Sequence, residues 1–221
     1  LPTFTDLYYK SPTQEGNIGL RPEKASTFKL GAEWRQKGFR MSLQGIRRSG
    51  SDMIDWVMYH ADDIYHSTQF KLKSYELTAD VSLLFAELFD NESLFIRSFN
   101  AGYTYITQER HDQQSVYKSN YALEYLRHKL TANLNHRIFD AIDATWYFSW
   151  QKRMGSYLKS DNTLQNYHPY ALVNLKISYN RPSYNVYLSL ENLTSHKYRD
   201  FGSVPQPGFS VLAGARINLH L

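Results

Sequence analysis

The sequence predicts an all-β fold, an antiparallel transmembrane β-barrel, from three observations. Apolar and polar residues alternate with a period of two along most of the 221 residues, as in strands that have two different faces. The links between the alternating segments are short and long in turn. Aromatic side chains gather near the segment ends, which is typical of the aromatic girdles of barrels that cross a membrane.

Nine segments carry the alternation, and several approach the roughly 9 to 11 residues that a tilted strand needs to cross a bilayer. We expect their apolar face to meet lipid, with Val173, Leu188 and Ile217 as representative residues. The segments cover residues 28–34, 39–43, 75–83, 95–105, 126–134, 144–150, 167–179, 184–190 and 209–221.

The lengths of the links between these segments help to distinguish a membrane barrel from a soluble one. A soluble antiparallel barrel would also alternate, because it hides its apolar face inside. Three features favour a barrel with a water-filled interior and a lipid-facing outside. They are the alternation of short and long links, the aromatic residues near the strand ends, and a polar face rich in Arg, Lys, Glu and Asn. The predicted short links are 35–38, 86–93, 137–143 and 180–183, and the predicted long links are 49–67, 107–119, 155–166 and 194–208.

Composition excludes several other classes of protein. With 42% hydrophobic residues and a mean hydropathy of -0.54, the chain has no run near the roughly 18 to 20 apolar residues of a spanning helix. The 25 Lys and Arg residues are scattered and give a net charge of only +4, so no nucleic-acid partner is predicted. The sequence has neither a nucleophile elbow nor a glycine-rich phosphate loop, and we predict no enzyme and no cofactor.

The segment 60–66 places two His and two Asp close together, and such groups can bind a divalent metal. A solvated polar loop explains the same residues without a ligand. We therefore predict no metal site.

Two stretches resemble the TonB-dependent receptor family. Near the end of the chain, Glu-Asn-Leu-Thr at 191–194, Lys-Tyr-Arg-Asp at 197–200 and Pro-Gln-Pro-Gly at 205–208 resemble the family's penultimate strand, last extracellular loop and approach to the closing strand. Near the beginning, Pro-Glu-Lys at 22–24 resembles the element that precedes a down-going strand. The motif residues are Pro22, Glu23, Lys24, Asn192, Leu193, Tyr198, Asp200, Pro205, Pro207 and Gly208.

This resemblance implies that residues 1–221 are the C-terminal portion of one 22-stranded barrel domain, contributing about nine or ten strands. The N-terminal plug and the first strands would lie outside this sequence. The implied location is the outer membrane of a Gram-negative bacterium, in contact with outer-membrane lipid. The implied function is active uptake of a large, scarce nutrient, such as a ferric siderophore or a cobalamin-like corrinoid. TonB would act through the missing N-terminal part, and a surface lipoprotein is a further possible partner.

Substrate contacts in such a receptor are expected from aromatic and cationic residues of the extracellular loops, which hold large ligands by stacking and charge. Two alternatives from other classes remain open at this point. One is a passive porin or structural barrel, and the other is a soluble ligand-binding β module. The candidate loop residues are Tyr8, Tyr9, Arg47, Arg48, Trp56, Tyr59, Tyr157 and Tyr198.

Overall fold

The computed structural model describes residues 1–111, 114–120, 122, 124–159, 163–200 and 204–218. It contains two short helices, α1 (Phe4–Tyr8) and α2 (Phe85–Phe89). No helix in these ranges is long and apolar enough to cross a membrane. The strands are β1 (Lys10–Ser11), β2 (Gln14–Glu15), β3 (Lys24–Gln36), β4 (Phe39–Met58), β5 (Tyr65–Leu84), β6 (Ile96–His111), β7 (Lys118–Ser119), β8 (Leu126–Phe139), β9 (Ile142–Arg153), β10 (Ser156–Leu158), β11 (Leu164–Asn166), β12 (Tyr170–Asn180), β13 (Tyr184–Glu191) and β14 (Ser210–Ile217).

The nine long strands of the described residues, β3 to β6, β8, β9 and β12 to β14, pair antiparallel in chain order within one sheet. This confirms the all-β prediction and the order of the nine strands. The links that join β3 to β4, β5 to β6, β8 to β9 and β12 to β13 lie at what we call the turn end, and the other links lie at the loop end. Three of the turn-end links have only two or three residues, and the β5–β6 link is longer because it contains α2. The predicted strand positions Leu219 and Leu221 lie outside the described residues.

The register of the sheet separates an apolar face from a polar face. Ile217 is 72% exposed and Leu188 is 39% exposed on the apolar face, which is therefore not sealed into a dry centre. This agrees with the prediction that the face meets lipid. One cross-strand row of the apolar face is Ala32, Leu43, Ala79, Tyr103, Leu130, Trp150 and Ala171, and a neighbouring polar row is Ser42, Asp80, Gly102, Thr131 and Ser149.

The β4–β5 hairpin is longer than the sequence predicts. The predicted link 49–67 is wrong for most of its length, because β4 continues to Met58 and β5 begins at Tyr65. The cause is a bulge in β4 between Gly50 and Met53, where Asp52 has a φ of 57°. The bulge adds one residue to β4 alone, so the alternation beyond it is shifted by one place. A period-two pattern therefore stops at the bulge although the strand continues.

Other predicted links also contain regular structure. β6 runs to His111, past the predicted start of the link 107–119. The link 155–166 includes the β10–β11 hairpin, and the turn-end link 86–93 includes most of α2. Propensity and alternation do not detect three-residue strands such as β10 and β11 or a single helical turn such as α2.

Two short strands extend the sheet at the loop end of the β4–β5 hairpin. β3 ends its pairing with β4 at Ser51, and β7 then takes the same edge of β4. β6 ends its pairing with β5 at Lys71, and β2 takes that edge of β5 in parallel orientation. Residues 53–70, together with β1, β2 and β7, are called the hairpin tip below.

Half of the buried apolar side chains of the described residues, four of eight, lie at the hairpin tip. Because the bulge reverses the direction in which the β4 side chains point, Val57 and Phe70 are both buried on the side of the polar face. Trp56 and Met58 are buried on the other side. The N-terminal segment 1–23 covers that second side. Burial on both sides of one hairpin gives this end of the sheet a core of its own.

Candidate functional site

A cleft of about 480 Å³ lies at the loop end, between the β9–β12 and β13–β14 links. Tyr170, at its base, is the first residue of β12 and pairs with Gln151, which places it on the polar face. Clefts of this size hold small organic ligands in many proteins. The aromatic and cationic residues that line the cleft are Tyr157, Tyr167, Tyr170, Tyr198, His168, His196, Lys197 and Arg199.

The rings of this tyrosine cleft contact each other in pairs. The Tyr170 and Tyr198 ring centroids are 4.3 Å apart, and those of Tyr157 and Tyr167 are 5.3 Å apart. The Arg199 guanidinium lies 5.2 Å from the centroid of the Tyr157 ring, within the range of a cation–π contact. The cleft therefore presents aromatic faces and positive charge to the same volume.

The phenol of Tyr198 remains protonated at neutral pH. Burial raises the pKa of Tyr198, and the carboxylate of Asp200 raises it further. A protonated phenol can donate a hydrogen bond to an anionic oxygen, which a phenolate cannot.

Asn192 fixes the conformation of the β13–β14 link that carries Tyr198 and Arg199. Its Nδ2 donates to the carbonyl oxygens of His196 at 2.9 Å and Pro207 at 3.2 Å, and its Oδ1 accepts from the His196 amide at 3.0 Å. Its backbone has a φ of 49°, a left-handed conformation that asparagine tolerates better than most residues. One buried side chain therefore ties together both ends of the link.

A second set of bonds joins the cleft to the β6–β8 link. Arg153 donates from Nη2 to Oδ1 of Asp200 at 2.6 Å and from Nη1 to the carbonyl oxygen of Glu124 at 2.9 Å. The Tyr167 hydroxyl donates to Oε2 of Glu124 at 2.8 Å, and Lys118 forms a buried ion pair with the same carboxylate. Three loop-end links are thus joined behind the cleft.

The hairpin tip holds a charged cluster of a different kind. Asp55 is fully buried, and its Oδ2 accepts from Arg110 Nη1 at 2.5 Å and from Ser119 Oγ at 2.5 Å. The Arg110 guanidinium lies 4.0 Å from the centroid of the Phe70 ring. This cluster is satisfied internally and closed to ligands, so its role is to hold the β6–β8 link against β4.

Two of the eight predicted contact residues, Tyr157 and Tyr198, come together in the tyrosine cleft. Tyr8, in α1, is 59% exposed and Tyr9 is 44% exposed, both on the N-terminal segment. Tyr59 lies in the β4–β5 link and stacks on His66, with ring centroids 5.8 Å apart. These three residues do not line the cleft.

The predicted loop placement is wrong for Trp56, Arg47 and Arg48, because all three lie within β4. Trp56 is only 5% exposed, and its Nε1 donates to Oδ1 of Asp6 at 3.0 Å. Arg47 and Arg48 are exposed on opposite faces of the strand. For Trp56 the error has the same source as the misplaced link, since the β4 bulge conceals the strand that follows it. Arg47 and Arg48 precede the bulge and continue the regular pairing of β4 with β5.

Several cleft residues were not among the predicted contacts: Tyr167, which the sequence places only in a girdle, and Tyr170, His168 and Arg199. A signal for them exists in the density of Tyr and His along 157–170 and 196–199. The two stretches flank the paired strands β12 and β13 at the loop end, so their side chains meet.

The predicted family-motif residues build the loops and do not all line the cleft. Oε1 of Glu23 accepts from the Ile54 amide at 2.8 Å, and Lys24 is the first residue of β3. The Leu193 amide donates to the Val173 carbonyl oxygen at 2.8 Å. A Cβ on Gly208 would lie 2.9 Å from Oγ of Ser195, so a side chain at this position would displace the Ser195 hydroxyl.

The polar segment 60–66 is folded around His66. Nε2 of His66 lies 3.0 Å from Oδ1 of Asp63, and the Asp63 carboxylate accepts from the Tyr59 amide at 3.0 Å. In the described part of the chain, no group of three or more His, Cys, Asp or Glu side chains is arranged to hold a metal ion.

Known structures with the same fold are outer-membrane transporters. The copper transporter OprC matches with a TM-score of 0.73 and 10% identity, over 97% of this chain and 35% of its own. The ferric-catecholate import receptor Fiu from K12 E. coli matches with a TM-score of 0.64 and 17% identity, over 96% of this chain and 30% of its own. The FrpB iron transporter from Neisseria meningitidis matches with a TM-score of 0.65 and 12% identity, over 92% of this chain and 31% of its own.

The chain thus spans about a third of the length of these structures. At this level of identity, the likeness shows the fold alone. Among curated proteins no sequence matches. A family model described as "TonB dependent receptor-like, beta-barrel" matches residues 1–193, which is most of the chain. Members of this family are receptors and transporters of the Gram-negative outer membrane and are not enzymes, and the chain belongs to the TonB-dependent receptor family.

Proposed function

We propose that this chain is the C-terminal wall and loop region of a receptor that takes up a ferric siderophore in a TonB-dependent manner. The loop end is then the extracellular side, because outer-membrane barrels have short periplasmic turns and long extracellular loops. The polar face lines the lumen. The N-terminal plug and the segment that contacts TonB belong to the part of the receptor that precedes this chain.

The observation that carries the proposal is the tyrosine cleft. It lies at the extracellular end of the polar face, and its rings, imidazoles and cations match an aromatic, negatively charged metal chelate. Stacking on Tyr198 and Tyr157 would hold flat chelating groups, and Arg199 and Lys197 would offset their charge. The Tyr198 phenol can donate to a chelate oxygen because it stays protonated.

Two of the structures with this fold have siderophore ligands in their descriptions. One is the ferric-catecholate import receptor Fiu, and the other is the receptor FpvA from Pseudomonas aeruginosa bound to pyoverdine, at a TM-score of 0.63 and 13% identity. A cobalamin-like corrinoid is the alternative cargo. We place it second, because the cationic lining suits an anionic chelate better than a bulky corrinoid.

Uptake of radioactive iron tests the proposal. The full-length receptor is expressed in a Gram-negative strain that lacks its own ferric-siderophore receptors, and ⁵⁵Fe uptake is measured with catecholate, hydroxamate and pyoverdine-type chelates. We expect uptake of at least one chelate, and its abolition by a protonophore or by deletion of tonB. Uptake that persists without TonB would indicate a passive porin. Uptake of cyanocobalamin alone would replace the siderophore by a corrinoid.

The tyrosine cleft is tested in the same strain. Tyr157→Ala and Tyr198→Ala together are expected to weaken chelate binding about tenfold to 100-fold, since each ring contact contributes roughly 0.5 to 1.5 kcal/mol. The matched control is Tyr8→Ala with Tyr9→Ala, which removes two exposed tyrosines outside the cleft. Equal loss in both double variants would show that the cleft has no special role.

A further inference from the structure

A column of polar side chains runs down the polar face below the tyrosine cleft, on β8, β9 and β12. Its top row is Lys129, Gln151 and Tyr170, and Tyr170 is also the base of the cleft. Its bottom row, three rows nearer the turn end, contains Thr145 and Lys176. The column, called the polar track below, comprises the polar-face positions of residues 129–135, 145–151 and 170–176.

The polar track leads from the cleft into the membrane-spanning part of the sheet. From Tyr170 to Lys176 it runs about 20 Å along β12, at roughly 3.4 Å per residue. A strand tilt of about 40° leaves roughly 15 Å across the membrane, out of an apolar band of about 25 Å in such barrels. A molecule that leaves the cleft towards the turn end therefore meets the track first.

The middle of the polar track is uncharged and has spare hydrogen-bonding groups. The side chains of Asn133, Tyr147, Ser149 and Gln151 form no hydrogen bond with any residue that the structure describes. Tyr147 is 39% exposed on this face. These amide and hydroxyl groups can offer a passing molecule neutral hydrogen bonds, which are weaker than charge-assisted ones.

The charges on and beside the polar track favour an anion in its middle. Its two charged residues, Lys129 and Lys176, are both cations, and neither forms an ion pair within the described ranges. The nearest carboxylates lie at the two borders. Asp80 of β5 lies over Gly102 of β6 on one side, and Glu191 of β13 lies on the other. An anion is therefore repelled from both borders and attracted towards the two lysines.

The polar face of β3, β4 and β5 has the opposite character. Arg35 and Arg40 both pair with Glu33, with 2.6 Å between Arg40 Nη2 and Glu33 Oε2. Arg48 and Glu76 lie nearer the loop end on the same wall. An anionic cargo there would meet carboxylates, which repel it, and guanidinium groups, which hold it through strong charge-assisted bonds. Passage requires contacts that are weak and repeated, so this wall suits it less than the track.

We propose that the polar track is the part of the lumen wall along which an anionic ferric chelate moves from the tyrosine cleft towards the periplasm, once the plug has shifted. Lys129 and Lys176 attract the chelate at two successive levels, and the neutral groups between them exchange hydrogen bonds with it. The inference rests on the proposed function and extends it from the binding of the cargo to its route.

The first experiment separates transport from binding in the full-length receptor. The test variant combines Gln151→Glu with Lys176→Gln, and the control combines Gln44→Glu of β4 with Lys29→Gln of β3. Both change the charge by the same amount, and Gln44 and Gln151 belong to one cross-strand row. The maximal TonB-dependent uptake rate is measured with ⁵⁵Fe as catecholate, hydroxamate and pyoverdine-type chelates, and the dissociation constant is measured in protonophore-treated cells. Heat-modified migration in gels verifies that all proteins are folded.

We expect the maximal uptake rate of the transported chelate to fall about fivefold to 20-fold in the test variant, because a carboxylate is added and a lysine is lost along the route. The dissociation constant should change less than the rate, and the control should keep the wild-type rate. Equal slowing in both variants, or an unchanged rate in the test variant, would overturn the proposal. If the wild-type receptor takes up none of the chelates, the proposed function itself fails and the track fails with it.

The second experiment follows the wall directly with a cysteine label. Ser149 of the track and Ser42 of β4 belong to one cross-strand row, and the 221 residues contain no Cys. Cells that carry the Ser149→Cys or the Ser42→Cys receptor are treated from outside with a membrane-impermeant maleimide, with and without the transported chelate. Labelling of the Ser149→Cys receptor should become faster during energised uptake, and that of the Ser42→Cys receptor should not. Faster labelling of the Ser42→Cys receptor alone, or of both receptors alike, would contradict a route along the track.

Discussion

The hairpin tip and the tyrosine cleft lie at the same end of the sheet and are both made from loop-end links packed on strand ends, yet only one of them is open. At the tip, Asp55 is fully buried and each of its acceptor bonds is supplied by the protein. At the cleft, a volume of about 480 Å³ remains, although Asn192 and Arg153 hold its walls as firmly.

The difference shows how a loop end can be divided between support and recognition. Buried charge is costly unless its partners are complete, so a closed cluster such as that of Asp55 specifies one arrangement of the link that it anchors. At the cleft, the hydrogen bonds of Arg153 and Glu124 lie behind the aromatic rings. Tyr157 and Tyr198 line the open volume in front of them. The four predictions below separate the two roles.

The largest effect is expected from Asp55→Ala, which leaves Arg110 buried without its carboxylate. Loss of one partner of a buried pair costs roughly 3 to 5 kcal/mol. Hydrogen exchange should then become faster at the amides of Tyr117 and Asn120, which bond to β4. The control Asp52→Asn keeps a residue that tolerates the φ of 57° at this position, so it breaks only the exposed pair with Arg21 and should cost about 0 to 1 kcal/mol. Similar exchange in both variants would contradict a closed cluster.

Asn192→Gly and Asn192→Ala should loosen the tyrosine cleft without affecting the tip. Both remove the bonds to His196 and Pro207, worth roughly 0.5 to 1.5 kcal/mol each. Alanine should cost about 1 kcal/mol more than glycine, because the φ of 49° disfavours a Cβ. Exchange of the Gln206 amide, which bonds to Tyr198, reports the change. Equal hydrogen exchange in the glycine and alanine variants would argue against backbone strain at Asn192.

Trp56→Phe should have a smaller effect, confined to the N-terminal cover of the tip. It keeps most of the buried ring and removes the 3.0 Å bond to Asp6, for an expected loss of about 1 kcal/mol. Faster exchange in α1, with unchanged exchange in β7, is the expected result. Trp34→Phe serves as control, because Trp34 is 61% exposed at the turn end.

The smallest effect is a pH response of the same contact. Burial of the Asp6 carboxyl opposes ionisation, but hydrogen bonds from Thr3 and Trp56 hold its pKa below the usual 3.8. The contribution of Asp6 is therefore present above its unfolded pKa and is lost as pH falls through the lower folded value. ¹⁹F NMR of fluorotryptophan should show the Trp56 signal shifting only below about pH 4. An Asp6→Asn variant should show no such acid-induced shift.

The sequence alone predicts the nine-stranded sheet but not the structure of the hairpin tip. Alternation gave nine strands in the right order, because each strand faces two different environments over its full length. It failed beyond Gly50, where a single added residue inverted the pattern, and Trp56 was assigned to a loop as a result. Period-two analysis has no means of detecting such a bulge in one sequence.

The candidate site was predicted only in part, for a related reason. Tyr157 and Tyr198 were chosen as loop aromatics, and the cleft contains both. Their partners Tyr167 and Tyr170 sit at the boundary of β12, where an aromatic residue also fits a membrane girdle. Whether such a residue lines the cleft or belongs to a girdle depends on how the β9–β12 and β13–β14 links fold over their strands. Hydrogen bonds such as those of Asn192 determine that conformation, and the residue type alone does not reveal it.

The short strands at the hairpin tip also bear on how the protein behaves beside its neighbours. An exposed strand edge is a template on which other chains can add, and crowding in a membrane makes such encounters frequent. Here the edges of the protruding hairpin are taken by β2 and β7, and the outermost strands β1 and β7 have 2 residues each. A hairpin that projects from the bilayer can thus stay long while offering little backbone for aggregation.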